Sequence, residues 1–79
     1  MLQILSELNE SECGYVVRIQ GNFAVKNALQ NAGFLLGTKI MVLRISPYKN
    51  TLLLDVGGQI KSYKKSALNL IELETLKRK

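Results

Sequence analysis

The 79-residue chain contains no histidine and no tryptophan, and only one cysteine and one proline. Without histidine it has no serine–histidine or cysteine–histidine nucleophile pair, no imidazole metal ligand and no near-neutral general base of the usual kind. Cys13 has no second cysteine with which to form an internal disulfide, so stability must come from packing, as is usual in a reducing compartment. We therefore expect a protein that is not an enzyme and that uses no cofactor.

Long apolar segments are also lacking. The uninterrupted apolar runs are far shorter than the roughly 20 residues that a transmembrane helix needs. The first residues lack the basic, apolar and small-residue zones of a secretory signal. With 47% hydrophobic and 22% charged residues, the composition is that of a folded globular chain. We expect a soluble cytoplasmic protein with a single domain over residues 1–79, a core spanning about 4–74 and a basic tail at 75–79.

Positive charge is concentrated in two segments. Of the net charge of +5, three charges come from residues 77–79. Between residues 39 and 65, six lysines and arginines face one acidic residue, Asp55. This asymmetry is compatible with a solvated surface, and also with steering of an anionic partner. Because Tyr48 and Tyr63 are interleaved with these charges, a nucleic-acid surface of the kind that small β-barrels use is an alternative.

The N-terminal half predicts a strand followed by a helix. Residues 13–20 alternate between two faces and are rich in β-branched side chains, which is typical of a strand. Gly21 ends this strand, and Asn22 is a good N-cap because its side chain can accept a hydrogen bond from a free backbone N–H. A helix over about 22–32 would end at Gly33. Its apolar stripe would be Ala24, Val25, Ala28, Leu29 and Ala32. Because three of these are alanine, we expect the helix to pack closely.

The rest of the chain predicts short strands joined by tight turns. Strands are predicted over 39–46, 51–56 and 59–63. Turns are expected at the residues that interrupt these patterns, Gly37, Pro47, Gly57 and Gly58. The last segment, 66–79, fits either a helix or a turn followed by a short strand at 70–73. Short strands in so small a chain favour a mainly β fold, a closed or nearly closed barrel with one inserted helix.

The apolar residues are more numerous than so small a core can easily hide. Segments 41–45 and 52–54 are almost wholly apolar, and an exposed patch there would be a docking site for another protein. Glu7, Glu10 and Glu12 could supply oxygen ligands to a hard cation, although solvated carboxylates are the commoner case. An iron- or zinc-binding chaperone would need a ligand set that the sequence does not show, so we predict no metal site.

Several markers recur in a set order along residues 4–74. They are Leu5-x-x-Leu8, Ile19-x-Gly21, Leu29-x-x-x-Gly33-Phe34, Gly37-Thr38-x-Ile40-x-Val42, Pro47, Gly58 and Ile71-x-Leu73. In this order and spacing the chain resembles the FeoA family, small cytosolic accessory proteins of bacterial and archaeal ferrous-iron transport. The chain departs from the family's usual residues at four places, Ala28, Asn31, Ala32 and Ala67-Leu68. The first two remove charge from the helix.

The resemblance implies an SH3-like barrel with one helix inserted after the first strand. It also implies a strand, not a helix, at 70–73. The family's proposed role is to assist the iron permease FeoB, whose cytoplasmic part carries a GTP-binding domain. The same module also occurs as the C-terminal domain of metal-dependent repressors, and a regulatory module of that kind is a further alternative.

We expect the chain to dock an apolar surface flanked by lysines on the cytoplasmic part of FeoB and to reach the membrane only through that partner. A weak homo-oligomer is also compatible with the sequence. Phe23 falls on the polar side of the helix, either as a packing residue near the cap or as an exposed aromatic. The candidate contact residues are Lys26, Gln30, Tyr48, Leu52 and Lys64.

Overall fold

A computed structural model describes residues 1–48 and 50–75. The six strands are β1 (Leu2–Ile4), β2 (Cys13–Ile19), β3 (Lys39–Ile45), β4 (Thr51–Val56), β5 (Gln59–Lys64) and β6 (Ile71–Thr75). One α-helix, α1, spans Phe23–Asn31, and two 3-10 helices span Leu5–Glu7 and Lys65–Leu70. The prediction of a mainly β fold with one helix is confirmed.

All six strands belong to one antiparallel sheet with the order β1-β6-β2-β3-β4-β5. The two edge strands, β1 and β5, are not paired with each other in the described residues, so the sheet stays open. The helix was expected after the first strand but follows the second, since the structure has an additional N-terminal strand, β1, that was not predicted. Three residues, Leu2–Ile4, are too few for alternation to mark a strand.

The ambiguous C-terminal segment forms a strand, as the family resemblance implied. β6 lies between β1 and β2, with Ile71 opposite Ile19 and Leu73 opposite Val16. Ile71 and Leu73 are fully buried, and this burial outweighs the helical propensity of the segment. The strand begins at Ile71, one residue later than the predicted start at residue 70, and extends to Thr75, two residues beyond the predicted end. The rest of the predicted tail lies outside the described residues, as does Lys49.

A bulge in β2 corrects the simple alternation of that strand. Its register against β6 shifts between Val16 and Arg18, which leaves Val17 without an opposite residue. As a result Val16 and Ile19 are both buried. In a regular strand, two residues three positions apart would lie on opposite faces. Val17 is exposed.

The hydrophobic core is formed by the four inner strands, the two 3-10 helices, the residue that follows the first of these helices, Leu8, and the segment after α1. Its members are Leu5, Leu8, Val16, Ile19, Phe34, Ile40, Val42, Leu52, Leu54, Val56, Leu68, Ile71 and Leu73. Neither α1 nor β5 contributes a buried residue to this core.

Two glycines are required by the backbone for different reasons. Gly33, with a φ of 104°, lets the chain leave α1 in a conformation that residues with a Cβ rarely adopt. Gly14 has no such conformation, but a Cβ there would lie 2.6 Å from the carbonyl oxygen of Glu74. The absence of a side chain at Gly14 therefore allows β2 and β6 to approach closely. The other predicted turn glycines, Gly21, Gly37, Gly57 and Gly58, also have positive φ.

Candidate protein-docking surface

The helix α1 is well capped but lightly packed. The Asn22 side chain accepts a hydrogen bond from the Val25 N–H at 2.9 Å, as predicted for an N-cap. No residue of α1 is buried. Of the predicted apolar stripe, Ala24 and Ala28 are exposed, and Val25, Leu29 and Ala32 are half-buried. The expectation of close packing is wrong, because two of the three alanines stay exposed, although Leu29 and Ala32 pack against the core.

The side of α1 turned away from the sheet carries the one aromatic residue of the helix, Phe23. Phe23, Lys26, Asn27 and Gln30 are spaced i, i+3, i+4 and i+7, so they share one face. The Phe23 side chain is 83% exposed. This outer face of α1 brings the predicted contact residues Lys26 and Gln30 together.

The C-terminal end of α1 is held more firmly than its middle. Phe34 is fully buried, and its ring meets the Tyr63 ring of β5 edge to face, with centroids 5.0 Å apart. The Tyr63 hydroxyl donates a long hydrogen bond of 3.5 Å to the Ala32 carbonyl. Burial raises the pKa of Tyr63 above its ordinary value of 10.0. These contacts attach the end of the helix to the edge strand β5.

An exposed apolar corner follows the helix. Leu35 and Leu36 are 51% and 68% exposed. The next residue, Gly37, donates a backbone hydrogen bond of 2.7 Å to the Val16 carbonyl, which places the corner beside the bulge residue Val17. Leu35, Leu36 and Val17 form what we call the corner patch. These three exposed apolar residues lie on stretches of backbone that this hydrogen bond joins, and exposed apolar surface of this kind indicates a contact site.

The apolar segments 41–45 and 52–54 are divided between the core and the outer side of the sheet. Val42, Leu52 and Leu54 are buried, whereas Met41, Leu43, Arg44 and Leu53 keep part or most of their surface in solvent. Alternation along each strand produces this division, since every second residue of β3 and β4 turns inward up to the bulge between Val42 and Arg44. The docking patch that the sequence predicted here is therefore smaller than expected, because the core takes about half of the apolar residues.

The five predicted contact residues do not form one site. Lys26 and Gln30 are on α1. Tyr48, which is 88% exposed, lies in the loop before β4, and Lys64 is the last residue of β5. Leu52 is 1% exposed, so the prediction that it contacts a partner is wrong. It lies on the inner side of β4, opposite Tyr63, and its side chain fills the core.

Two of the N-terminal glutamates have structural partners. Glu10 accepts a hydrogen bond from the Ile45 N–H at 2.9 Å, and Glu12 accepts one from the Asn9 N–H at 2.7 Å. Both carboxylates thus organise the loop before β2. In residues 1–48 and 50–75, no three histidine, cysteine, aspartate or glutamate side chains are grouped in a way that could hold a metal ion.

The charged surface contains few ion pairs. Within the described part of the chain, the one pair closer than 4 Å joins the Met1 amino group to Glu74. The lysines between residues 39 and 65 that the structure describes therefore present their charge to solvent. Among the same residues, no helix has the length and apolar character needed to cross a membrane.

Sequence reasoning missed the apolar members of the surface. Phe23 was placed on the polar side of the helix with its role left open, and Leu35 and Leu36 were given no role. An aromatic at N1 of a helix, three residues from a lysine on the same face, is the available signal. For Leu35 and Leu36 the sequence alone carries no signal, because exposed and buried leucines look alike.

The open six-stranded antiparallel sheet with one helix is an SH3-like fold. The chain belongs to the FeoA domain family, whose family model matches residues 4–74. Members of this family serve ferrous iron transport. Among curated proteins, no match to the chain is found.

Solved structures of FeoA proteins are similar over nearly the whole chain. A crystal structure of an iron uptake regulatory protein, FeoA, is 27% identical with a TM-score of 0.87, covering 96% of this chain and 100% of that one. The FeoA protein of Stenotrophomonas maltophilia, described as a prokaryotic SH3 domain protein and crystallised with zinc, is 24% identical with a TM-score of 0.75. That likeness covers 94% of this chain and 89% of the other.

The same fold occurs inside a larger regulator. A manganese-dependent transcriptional repressor is 16% identical with a TM-score of 0.85, and the match covers 95% of this chain but only 41% of the repressor. At this identity the likeness concerns the fold alone.

Proposed function

We propose that this chain is a non-enzymatic accessory protein of ferrous iron transport that binds the cytoplasmic part of the FeoB iron permease and modulates its assembly or activity. The observation that carries the proposal is the outer face of α1, with Phe23 83% exposed beside Lys26. Membership in the FeoA family supplies the process, and this surface supplies a means of contact. The chain would work in the cytoplasm and reach the membrane through its partner.

The surface has the composition expected of a contact. An aromatic anchor surrounded by polar side chains that can exclude water is the arrangement that dominates binding energy at interfaces. The corner patch extends the apolar area beyond the C-terminal end of the helix. Because α1 buries no residue of its own, substitutions on its outer face should change binding without unfolding the protein. To modulate the permease, the chain must bind one state of the partner more tightly than another.

Calorimetry with the purified cytoplasmic part of the permease tests the proposal. We expect Phe23→Ser and Lys26→Glu each to weaken binding by about tenfold or more, since truncating an interface anchor typically costs over about 1 kcal/mol. Ile60→Ser is the matched control, because Ile60 is also an exposed apolar residue, 62% exposed, but lies on β5. Unchanged affinity in the two α1 variants would exclude this face. No binding by the unaltered chain would exclude the partner.

A regulatory module like the C-terminal domain of metal-dependent repressors is the second candidate, favoured by the likeness of the fold to the manganese-dependent repressor. Such a module would act by binding a DNA-binding protein and changing the activity of that protein as a repressor. Pull-down from cell extract separates the two candidates, since one predicts a membrane permease and the other a DNA-binding protein.

A small basic barrel that binds nucleic acid is tested by its salt dependence. Binding to RNA or DNA would have to fall steeply with ionic strength, because released counterions drive it. No binding at low salt would exclude this alternative.

A further inference from the structure

A groove lies at the end of the molecule formed by the start of β4, the end of β5 and the second 3-10 helix. It has a volume of about 540 Å³, is open to solvent, and is lined by Asn50, Thr51, Lys64, Lys65, Ser66 and Asn69. It contains none of the residues of the outer face of α1 or of the corner patch. A ligand here would therefore occupy a second surface.

The walls of the groove are fixed to each other by backbone hydrogen bonds. The Lys65 N–H donates to the Asn50 carbonyl at 2.9 Å, which joins the 3-10 helix to the residue before β4. The Ser46 hydroxyl oxygen accepts from the backbone N–H groups of Asn50 and Thr51, at 3.3 and 3.2 Å. The groove is thus formed before any ligand arrives.

The polar side chains of the groove are oriented to donate hydrogen bonds. The Asn50 amide oxygen already accepts from the hydroxyls of Ser46 and Thr51, at 3.0 and 3.3 Å. The Asn69 amide oxygen already accepts from the Ser6 hydroxyl. Within residues 1–48 and 50–75, neither asparagine NH₂ group donates a hydrogen bond to another protein group, and the Lys64 and Lys65 ammonium groups can only donate.

No carboxylate is among the lining residues, and neither lysine has one within 4 Å in the described part of the chain. Glu7 shares a neighbouring hollow with Lys65, but the two side chains form no ion pair. Four of the six lining residues therefore offer N–H donors without a balancing negative charge. Such a set selects an anion.

We propose that this groove binds the carboxylate side chains of an acidic peptide segment. The donors come from three parts of an open groove, the residue before β4, the end of β5 and the 3-10 helix, so they can meet several groups spaced along a chain. Each lysine ammonium is a compact point charge on a flexible stem, so the two can pair with different carboxylates of an extended peptide. This inference goes beyond the proposed function and does not depend on the identity of the permease, because synthetic peptides and the isolated chain test it.

Amide chemical shifts of the full chain, titrated with acetylated hexaglutamate amide, give the test. We expect the shifts to be concentrated at residues 50–51, 64–66 and 69, and to be absent with the hexaglutamine peptide of the same length. Equal binding of the glutamine peptide would overturn the role of charge. Inorganic phosphate, at the same total anion charge, should bind more weakly, and equal binding of phosphate at the same amides would overturn the assignment to a peptide.

Two double variants separate the groove from the overall charge. Lys64→Gln with Lys65→Gln should weaken hexaglutamate binding by about tenfold or more, since it removes two charge-assisted donors. Lys39→Gln with Lys61→Gln removes the same charge elsewhere and should leave the affinity within about twofold of the original. An equal loss in both variants would show that only net charge matters and would overturn the proposal. An unchanged spectrum away from the substitutions verifies that each variant is folded.

Discussion

The sheet and the helix of this protein are stabilised to very different degrees. Each of the four inner strands, β6, β2, β3 and β4, has at least one apolar side chain with 1% or less of its surface exposed, whereas α1 has no buried residue. Full burial of an apolar side chain stabilises the fold by roughly 1.5–3 kcal/mol. The sheet therefore carries most of the free energy of folding. The helix is retained by its cap, by two half-buried side chains, Val25 and Leu29, and by the contacts at its C-terminal end.

This difference matters for function because an element with little burial can present side chains that the core does not need. Elements with few buried contacts also open locally at a lower free energy than the core does. The outer face of α1 and the corner patch both belong to the lightly packed part of the molecule. The core strands supply the rigid support on which that part is displayed.

The largest expected effect is on the sheet side of this comparison. Leu54→Ala removes a fully buried side chain of β4 and should lower the free energy of unfolding by about 2–5 kcal/mol, because it leaves a cavity. Leu29→Ala on α1 removes the same atoms from a half-buried site and should cost clearly less. Urea denaturation followed by circular dichroism measures both. Equal losses would refute the contrast between sheet and helix.

A second substitution tests how closely two inner strands approach. Gly14→Ala would place a Cβ 2.6 Å from the Glu74 carbonyl oxygen and 2.9 Å from the Thr75 Cα, both of which are backbone atoms that cannot rotate away. We expect a loss of about 1–3 kcal/mol in the free energy of unfolding. Gly37→Ala is the control, since no atom lies within 4 Å of a Cβ there, so it reports only the backbone strain of its φ of 85°.

The N-cap tests the helix side. Asn22→Ala removes the 2.9 Å hydrogen bond to the Val25 N–H and should destabilise α1 by about 1 kcal/mol. Because the helix is lightly packed, we expect faster amide hydrogen exchange across residues 23–31 and little change at β3 and β4. Asn22→Asp, which can accept the same bond, should restore the original rates. Uniformly faster exchange in the sheet would mean that helix and sheet unfold together.

The smallest expected effect concerns Tyr63, where the helix end meets β5. Its pKa is raised in the folded state by burial, so above about pH 10 the unfolded chain loses this proton first. The folded state then binds more protons, and stability must fall as pH rises through this window. Tyr63→Phe should lack this part of the decline. Denaturation midpoints at pH 8 to 11, relative to those of the unaltered chain, measure it, and parallel curves would contradict the assignment.

The secondary structure was largely predictable because its signals are local. Asn22 and Gly33 mark the two ends of α1, and the glycines at 57 and 58 mark the turn between β4 and β5. Alternating apolar residues marked most strands. β1 was missed because three residues carry no periodicity, and its place in the sheet depends on pairing with β6, near the other end of the chain.

The candidate site was predictable only in part. Lys26 and Gln30 were placed on one exposed helix face by their spacing, which needs no tertiary information. Leu52 was assigned to the surface although it is buried, because three consecutive leucines do not show which face of β4 turns inward, and that is set by pairing and packing with the rest of the sheet. The position of Phe23 on the polar side of the helix was predicted while its exposure was left open, and Leu36 could not be distinguished from a core residue, since exposure depends on what packs against a side chain.

The amino-acid sequence by itself determined that this chain lacks histidine chemistry and internal disulfides, where α1 begins and ends, and which family it resembles. These properties depend on residue type and on neighbours within a few positions. Only the tertiary structure decided that residues 71–75 form an inner strand, that α1 stays lightly packed, and that lysines and amide groups from three separate elements line one groove. Those outcomes depend on burial and pairing between residues far apart in the chain, where long-range contacts outweigh local propensity.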